Sequence, residues 1–392
     1  MHHFSPRALA KRPTSLRWAH RLTWLLLWLM LLTYIIGASW DAVWHRTRVF
    51  DTFYSPPHLF IYIMVALITL FVIALTFTPA LRVWFGSSFP VLPLPFPVPG
   101  TLVLTGGGFF LLGLAGILDD IWHSTFGLDE TFWSTPHALL GWGLCVVTLG
   151  FVSCLLTFRH FYPLRWYSRL LLGWLLAVCT IGPFLNPFAN NRTPEVVWAT
   201  AHIPILAVQA QAQHTFRIYL AWNLTLTNPL FLPLVIFWVG LALSLARYMG
   251  QRAWIVLVIA WLCAPSADVH SLVTIAPTIE QHVKNWLPLP VLPTAIILLL
   301  LLKFRVAERW AWIIAGAIFA LLFCAVWQPD GFSLLLALVC TPFILLGAHV
   351  GQKVYTVLEQ PTALKVWSLL FIVTSACFFV GSIDLYLRNS TP

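Results

Sequence analysis

The run L-T-W-L-L-L-W-L-M-L-L-T-Y-I-I-G-A-S at 22–39 is followed by W-D-A-V-W-H-R-T-R-V-F-D-T-F-Y-S-P-P-H at 40–58 and L-F-I-Y-I-M-V-A-L-I-T-L-F-V-I-A-L-T-F-T at 59–78. Each flanking run is free of charge and long enough to cross a bilayer as a helix. The stretch between them holds the charges, and Ser55 followed by Pro56 reads as an N-cap with proline in the first helical turn. The unit is a transmembrane hairpin. Working outward, further apolar runs lie at 101–118, 138–158, 168–187, 228–247, 253–272, 288–303, 310–327, 332–350 and 366–387. The fold class is therefore all-α, a polytopic helix bundle of eleven spans. A twelfth candidate at 195–226 carries His202, Pro204, Gln209, Gln211, Gln213 and His214, and reads better as re-entrant, interfacial or shielded within the bundle. The proline-rich connection at 79–100 reads as an extended, stiff spacer. Gly106-Gly107-Gly108 reads as a site of close helix packing, since no Lys-Ser/Thr follows it as in a phosphate loop.

Composition agrees. Of the 392 residues 60% are hydrophobic and only 9% charged, against about 25% charged in soluble proteins, so lipid must be the main solvent. With the N-terminus on the cytoplasmic side, 16 of 22 basic residues fall inside and 11 of 13 acidic ones outside. The basic bias is the one that orients a membrane protein. The net charge of +9 is thus a matter of topology and does not call for a nucleic-acid partner. The first run exceeds the core of a cleavable signal peptide and is read as a retained helix. The cysteines at 145, 154, 179, 263, 324, 340 and 377 show no C-x-x-C spacing and read as buried thiols. No Ser-His-Asp nucleophile elbow, dinucleotide fingerprint or haem c motif is present.

The loop of the first hairpin recurs. Residues 118–137 read L-D-D-I-W-H-S-T-F-G-L-D-E-T-F-W-S-T-P-H, sharing D-x-x-W-H, an acidic residue six positions later and S-x-P-H with 41–58. Asp41 and His45 are four residues apart, as are Asp119 and His123, a spacing that puts both side chains on one face of a helix. His58 and His137 open the next helix of each hairpin and so return toward the end of the previous one. Each hairpin offers two imidazoles and one carboxylate at the outer face, a donor set suited to copper, zinc or non-haem iron. Asp51, Asp129 and Glu130, with Trp44 and Trp122, are neighbours placed to orient an imidazole. The alternative is that each Asp–His pair is a hydrogen-bonded structural contact and each tryptophan part of an interfacial belt.

The pattern D-x3-H-x12-H formed by Asp41, His45 and His58 resembles the copper motif in one membrane subunit of the particulate methane and ammonia monooxygenases. Asp119, His123 and His137 match the neighbouring N-x3-H-x13-H site of that family in spacing, with aspartate where the family has asparagine. The resemblance covers residues 20–160. W-H-S-T-F-G with S-T-P-H also looks like a group of bacterial multi-pass membrane proteins. The monooxygenase resemblance implies copper as cofactor, a cupredoxin-type or other membrane subunit as partner, and oxidation of a small apolar molecule with O2. The chain departs from it in carrying no soluble copper domain and in being longer.

The expected organisation is a basic cytoplasmic tail at 1–21, a repeated metal-binding hairpin unit at 22–160 and a C-terminal bundle at 161–392. The last region reads as a candidate degenerate copy of the first. His202 and His214 are 12 apart, as are His270 and His282, and Asp268 sits two before His270; these form a weaker second-half set. The expected function is a copper-binding protein of the inner membrane related to a monooxygenase subunit. Two alternatives stand beside it: non-catalytic metal uptake, delivery or oxidase assembly, and a transporter or structural bundle with Asp–His pairs.

Overall fold

The computed structural model describes residues 13–47, 54–126, 135–180, 231–266, 290–327 and 334–390. Its helices are α1 (Thr14–Thr47), α2 (Pro56–Phe77), the short α3 (Pro79–Arg82), α4 (Gly100–Phe126), α5 (Thr135–Phe158), α6 (Trp166–Cys179) and α7 (Phe231–Gly250), followed by α8 (Ala253–Ser266), α9 (Val291–Lys303), α10 (Glu308–Trp327), α11 (Leu334–Cys340), α12 (Phe343–Glu359) and α13 (Ala363–Ser390). The described residues are all-α, apart from a two-residue strand pair. Five described helices (α1, α2, α4, α5 and α7) are long and apolar enough to cross a membrane, and α6, α8, α9 and α13 contain shorter apolar stretches.

Two expectations about the connections are corrected. The proline-rich 79–100 segment is not an extended spacer. After α3 and a single 3-10 turn at Val83–Phe85, it folds back as a ribbon pairing Ser88 with Pro99 and Phe89 with Val98. The apolar residues between the prolines drive this closure. Phe85 is buried, and its carbonyl accepts the Thr101 hydroxyl at 2.8 Å. Phe96 packs edge-on against Phe77 at 5.2 Å and under the Arg82 guanidinium at 4.0 Å. The expected span at 332–350 is two helices, broken at Thr341-Pro342, because proline lacks the N–H needed to continue α11. The second piece runs on to Glu359. Its buried positions, Ile344, Gly347, Ala348, Gly351, Tyr355 and Leu358, recur at helical spacing through a segment whose other face is polar.

Glycines set the closest helix contacts. A Cβ at Gly108 would lie 2.5 Å from the Val147 backbone nitrogen, and one at Gly107 would lie 2.9 Å from Leu370. The triple glycine thus serves helix packing, α4 against α5 and against α13. On the other side of the molecule Gly347 and Gly351 of α12 meet Phe237, Leu241 and Ser244 of α7, and the Ser244 hydroxyl donates to the Ala348 carbonyl at 2.9 Å. This is the small-residue packing expected where lipid supplies no hydrophobic drive between helices.

One end of the bundle gathers several of the described arginines. Arg159 pairs with Glu359, Arg247 pairs with Glu308, and the Arg169 guanidinium donates to the Met249 carbonyl at 3.3 Å. At the same end Trp84 donates to the Ser15 hydroxyl at 3.0 Å, and His20 stacks on Tyr162 at 4.2 Å. Chain direction then puts the C-terminal ends of α1 and α4 and the N-terminal ends of α2 and α5 at the opposite end. The C-terminal end of α6 is tied to α7 two turns into that helix, where the Trp238 indole N–H donates to the Thr180 hydroxyl at 2.9 Å.

Candidate functional site

Helix α1 runs without a break through Asp41 and on to Thr47, and α4 runs through Asp119 to Phe126. Asp41 and His45 therefore occupy positions one turn apart on one helix, as do Asp119 and His123. Helix α2 begins at Pro56 with Ser55 at its N-cap position (φ −56°, ψ 141°), which seats His58 in the first turn. Helix α5 begins at Thr135, which seats His137 likewise.

The structure joins each aspartate to the histidine across its hairpin. His58 Nε2 stands 2.9 Å from Asp41 Oδ1, with the histidine side chain 8% exposed and the aspartate 26%. His137 Nε2 stands 4.0 Å from Asp119 Oδ1, with 21% and 16% exposure. Two hairpins of related sequence thus bring an aspartate and a first-turn histidine together at the same end of the bundle, opposite the end where Arg159, Arg169 and Arg247 gather. Among the described side chains no three His, Cys, Asp or Glu residues converge as a metal site. The side chains of His45 and His123 lie outside that description.

The distances bear on what the pairs can hold. With ligand bonds of about 2.0 Å, two donors on one ion lie about 2.8 Å apart at a right angle, about 3.3 Å at a tetrahedral angle and about 4 Å when opposed. The first pair is at the short end of that range, which is also a hydrogen-bonding distance. The second, at 4.0 Å, is past hydrogen-bond reach and still inside the range for ligands of a common ion. The oxygen-plus-nitrogen donor chemistry fits a borderline cation such as copper(II) or zinc.

Packing explains why the pairs form. Gly37, one turn before Asp41, lets α2 approach so closely that a Cβ there would lie 2.5 Å from Ile61 Cγ1. Gly116, three residues before Asp119, faces the Tyr62 ring, which a Cβ would meet at 3.4 Å. Tyr62 in turn lies 5.9 Å, ring to ring, from His58. A single tyrosine on α2 therefore touches the surroundings of both pairs. Tyr62, Gly37 and Gly116 lie outside the repeated motif. Their signal was their spacing, one turn after a histidine or one turn before an aspartate.

Trp122 is buried and Trp44 half-buried, each three residues after its aspartate, while Trp40 is exposed and packs near Phe60 at 6.2 Å. Asp51, Asp129, Glu130, Trp133, Ser134, His202, His214, Asp268, His270 and His282 lie outside the described residues. The six cysteines whose side chains are described are free thiols, as expected from their spacing. No protein-family model matches the chain, and no curated protein or solved structure shows significant similarity to it.

Proposed function

We propose that this chain is a multi-pass inner-membrane protein of eleven spans with a cytoplasmic N-terminus, which binds copper near the outer face. Asp41, His45 and His58 would hold one ion, and Asp119, His123 and His137 a second. The observation that carries the reading is the recurrence of one contact, carboxylate to first-turn imidazole, in two hairpins of related sequence. The motif-level likeness to the particulate monooxygenases selects copper and places the chain beside a copper membrane monooxygenase. Copper in such a set supplies one-electron chemistry toward O2. The protein supplies the donors, and the apolar surround lets a small apolar substrate arrive from the bilayer.

Metal analysis of the full chain purified in mild detergent tests the reading, with His58→Ala, His137→Ala and the double variant alongside. Wild type should retain copper at both sites, each single variant should lose one, and copper EPR should show nitrogen coupling. Metal content equal in wild type and the double variant refutes it. Oxygen consumption with a reductant and short alkanes then separates catalysis from metal capture or delivery. A second reading, favoured by the 2.9 Å Asp41–His58 distance, is that the pairs are structural clasps of the hairpins. On that reading the variants lose stability but no metal.

A further inference from the structure

At the arginine-rich end a cavity of about 460 Å³ opens between α7, α8 and α12. Its polar lining is Arg247, Tyr248, Gln251, Arg252, Tyr355 and Glu359. Helices α7 and α8 are joined by only two residues, and Gln251 takes a left-handed conformation (φ 60°) to make that turn. A non-glycine residue held there is strained, and such strain gathers at ligand clamps. The turn brings Arg247, in the last turn of α7, and Arg252, just before α8, onto one wall. Ala253, the first residue of α8, also lines the cavity. The leading N–H groups of a helix lack partners within it, and they favour an anion.

The charge balance at this wall is positive. Glu359 is held by Arg159, and Arg247 holds Glu308. Arg252 takes part in no ion pair among the described residues. Three arginines against two glutamates leave one positive charge facing the cavity, with Arg169 close by on the Met249 carbonyl. Directly after Ala253 in α8 begins an exposed aromatic group. Trp254 packs near Trp166 at 5.6 Å, and Trp166 near Tyr167 at 5.7 Å. Exposed tryptophan and tyrosine on an apolar helix bundle mark the depth of lipid headgroups. A basic pocket between helices at that depth is suited to a phosphate-bearing headgroup.

We propose that this cavity binds a phosphate-bearing anion, with Arg252 and Arg247 as its charged partners and the start of α8 as its backbone donor. The chemistry is shared by the headgroup of an anionic phospholipid and by free phosphate. The site is at the opposite end from the Asp–His pairs and does not depend on them.

Native mass spectrometry of the delipidated full chain tests it, with phosphatidylglycerol, phosphatidylcholine and inorganic phosphate as probes. Wild type should retain phosphatidylglycerol over phosphatidylcholine by about fivefold or more, the effect of one well-placed arginine. Arg252→Gln should erase the preference, Arg252→Lys should keep it, and Lys353→Gln, exposed on α12 outside the cavity, should leave it unchanged. Displacement of the lipid by millimolar phosphate assigns the site to phosphate itself. Retention against phosphate assigns it to the headgroup. Equal retention of phosphatidylglycerol by wild type, Arg252→Gln and the charge-reversed Arg252→Glu overturns the proposal. Arg252 is exposed, so none of these substitutions threatens the fold.

Discussion

The closeness of α1 and α2 at Gly37 makes a sharp prediction about the Asp41–His58 contact. In Gly37→Ala the new Cβ falls 2.5 Å from Ile61 Cγ1 and 3.2 Å from Ile61 Cδ1. Isoleucine in a helix keeps one χ1 rotamer, so Cγ1 cannot swing aside cheaply. Restoring an ordinary carbon–carbon contact of about 3.5 Å requires the helices to part by about 1 Å. That moves His58 and Asp41 from 2.9 Å to about 3.9 Å, the edge of ion-pair contact. The weakened ion pair costs about 1–3 kcal/mol, between the values for exposed and buried pairs. Overpacking strain adds about 1–3 kcal/mol, and the helix propensity of alanine returns about 1 kcal/mol. The expected loss is about 2 kcal/mol or more, read by unfolding in mixed detergent micelles. In a His58→Ala background the contact is already gone, so the same substitution should cost at least about 1 kcal/mol less. Additivity within about 0.3–0.5 kcal/mol refutes the reasoning, because it shows that helix spacing at Gly37 does not reach the pair. Gly106→Ala and Gly113→Ala are the controls. Neither Cβ meets anything within 4 Å, and both should be neutral or stabilising.

Three further outcomes are expected. Gly347→Ala should destabilise by about 3 kcal/mol, because its Cβ would press on backbone alone, 2.8 Å from the Phe237 carbonyl carbon and 2.9 Å from the Leu241 nitrogen; equal stability of Gly347→Ala and Gly106→Ala would contradict the α7–α12 packing. Thr180→Val should cost about 1–3 kcal/mol by stranding the buried Trp238 N–H, and Trp238→Phe in the same chain should recover much of it; thermal unfolding of the four species decides. Mild oxidation should link Cys145 to Cys179, whose sulfurs lie 3.9 Å apart, and peptide mapping should find this disulfide in wild type and lose it in Cys145→Ser; a mapped bond to any other cysteine would place α5 and α6 differently.

Much of the bundle was legible in the sequence because an apolar run has few alternatives in lipid. The hairpins around 40–58 and 118–137 emerge where the runs put them, with the aspartates carried on the same helices as the histidines that follow them. The misreadings have a common cause. At 332–350 the apolar run contains Pro342 and gives way to Gln352 and Lys353, although Tyr355 and Leu358 still continue the buried face of α12. At 79–100 the prolines favour an extended chain, but the apolar residues between them fold it back. Within the candidate site, spacing along one helix puts Asp41 and His45 on one face, and the described contact, Asp41 with His58, crosses from one helix to the next. That contact spans two helices and depends on Gly37 being small. A single glycine is too common a residue to announce such a role without the partner helix in view.

The last described helix, α13, lies against the first hairpins: Leu370 fills the space at Gly107, and the Cys377 thiol meets the Ala138 carbonyl at 4.0 Å. Just before α13, the carbonyl of Leu358 accepts the Ser153 hydroxyl at 2.6 Å across 205 positions of chain. A ribosome adding roughly 5–20 residues each second takes about 10–40 s to travel that interval. Throughout it, α4 and α5 are inserted while the groove that α13 will fill faces lipid or an insertion factor. The bundle is thus sealed by a late arrival, and a nascent chain stalled before residue 363 should be held open along a seam that the finished protein conceals.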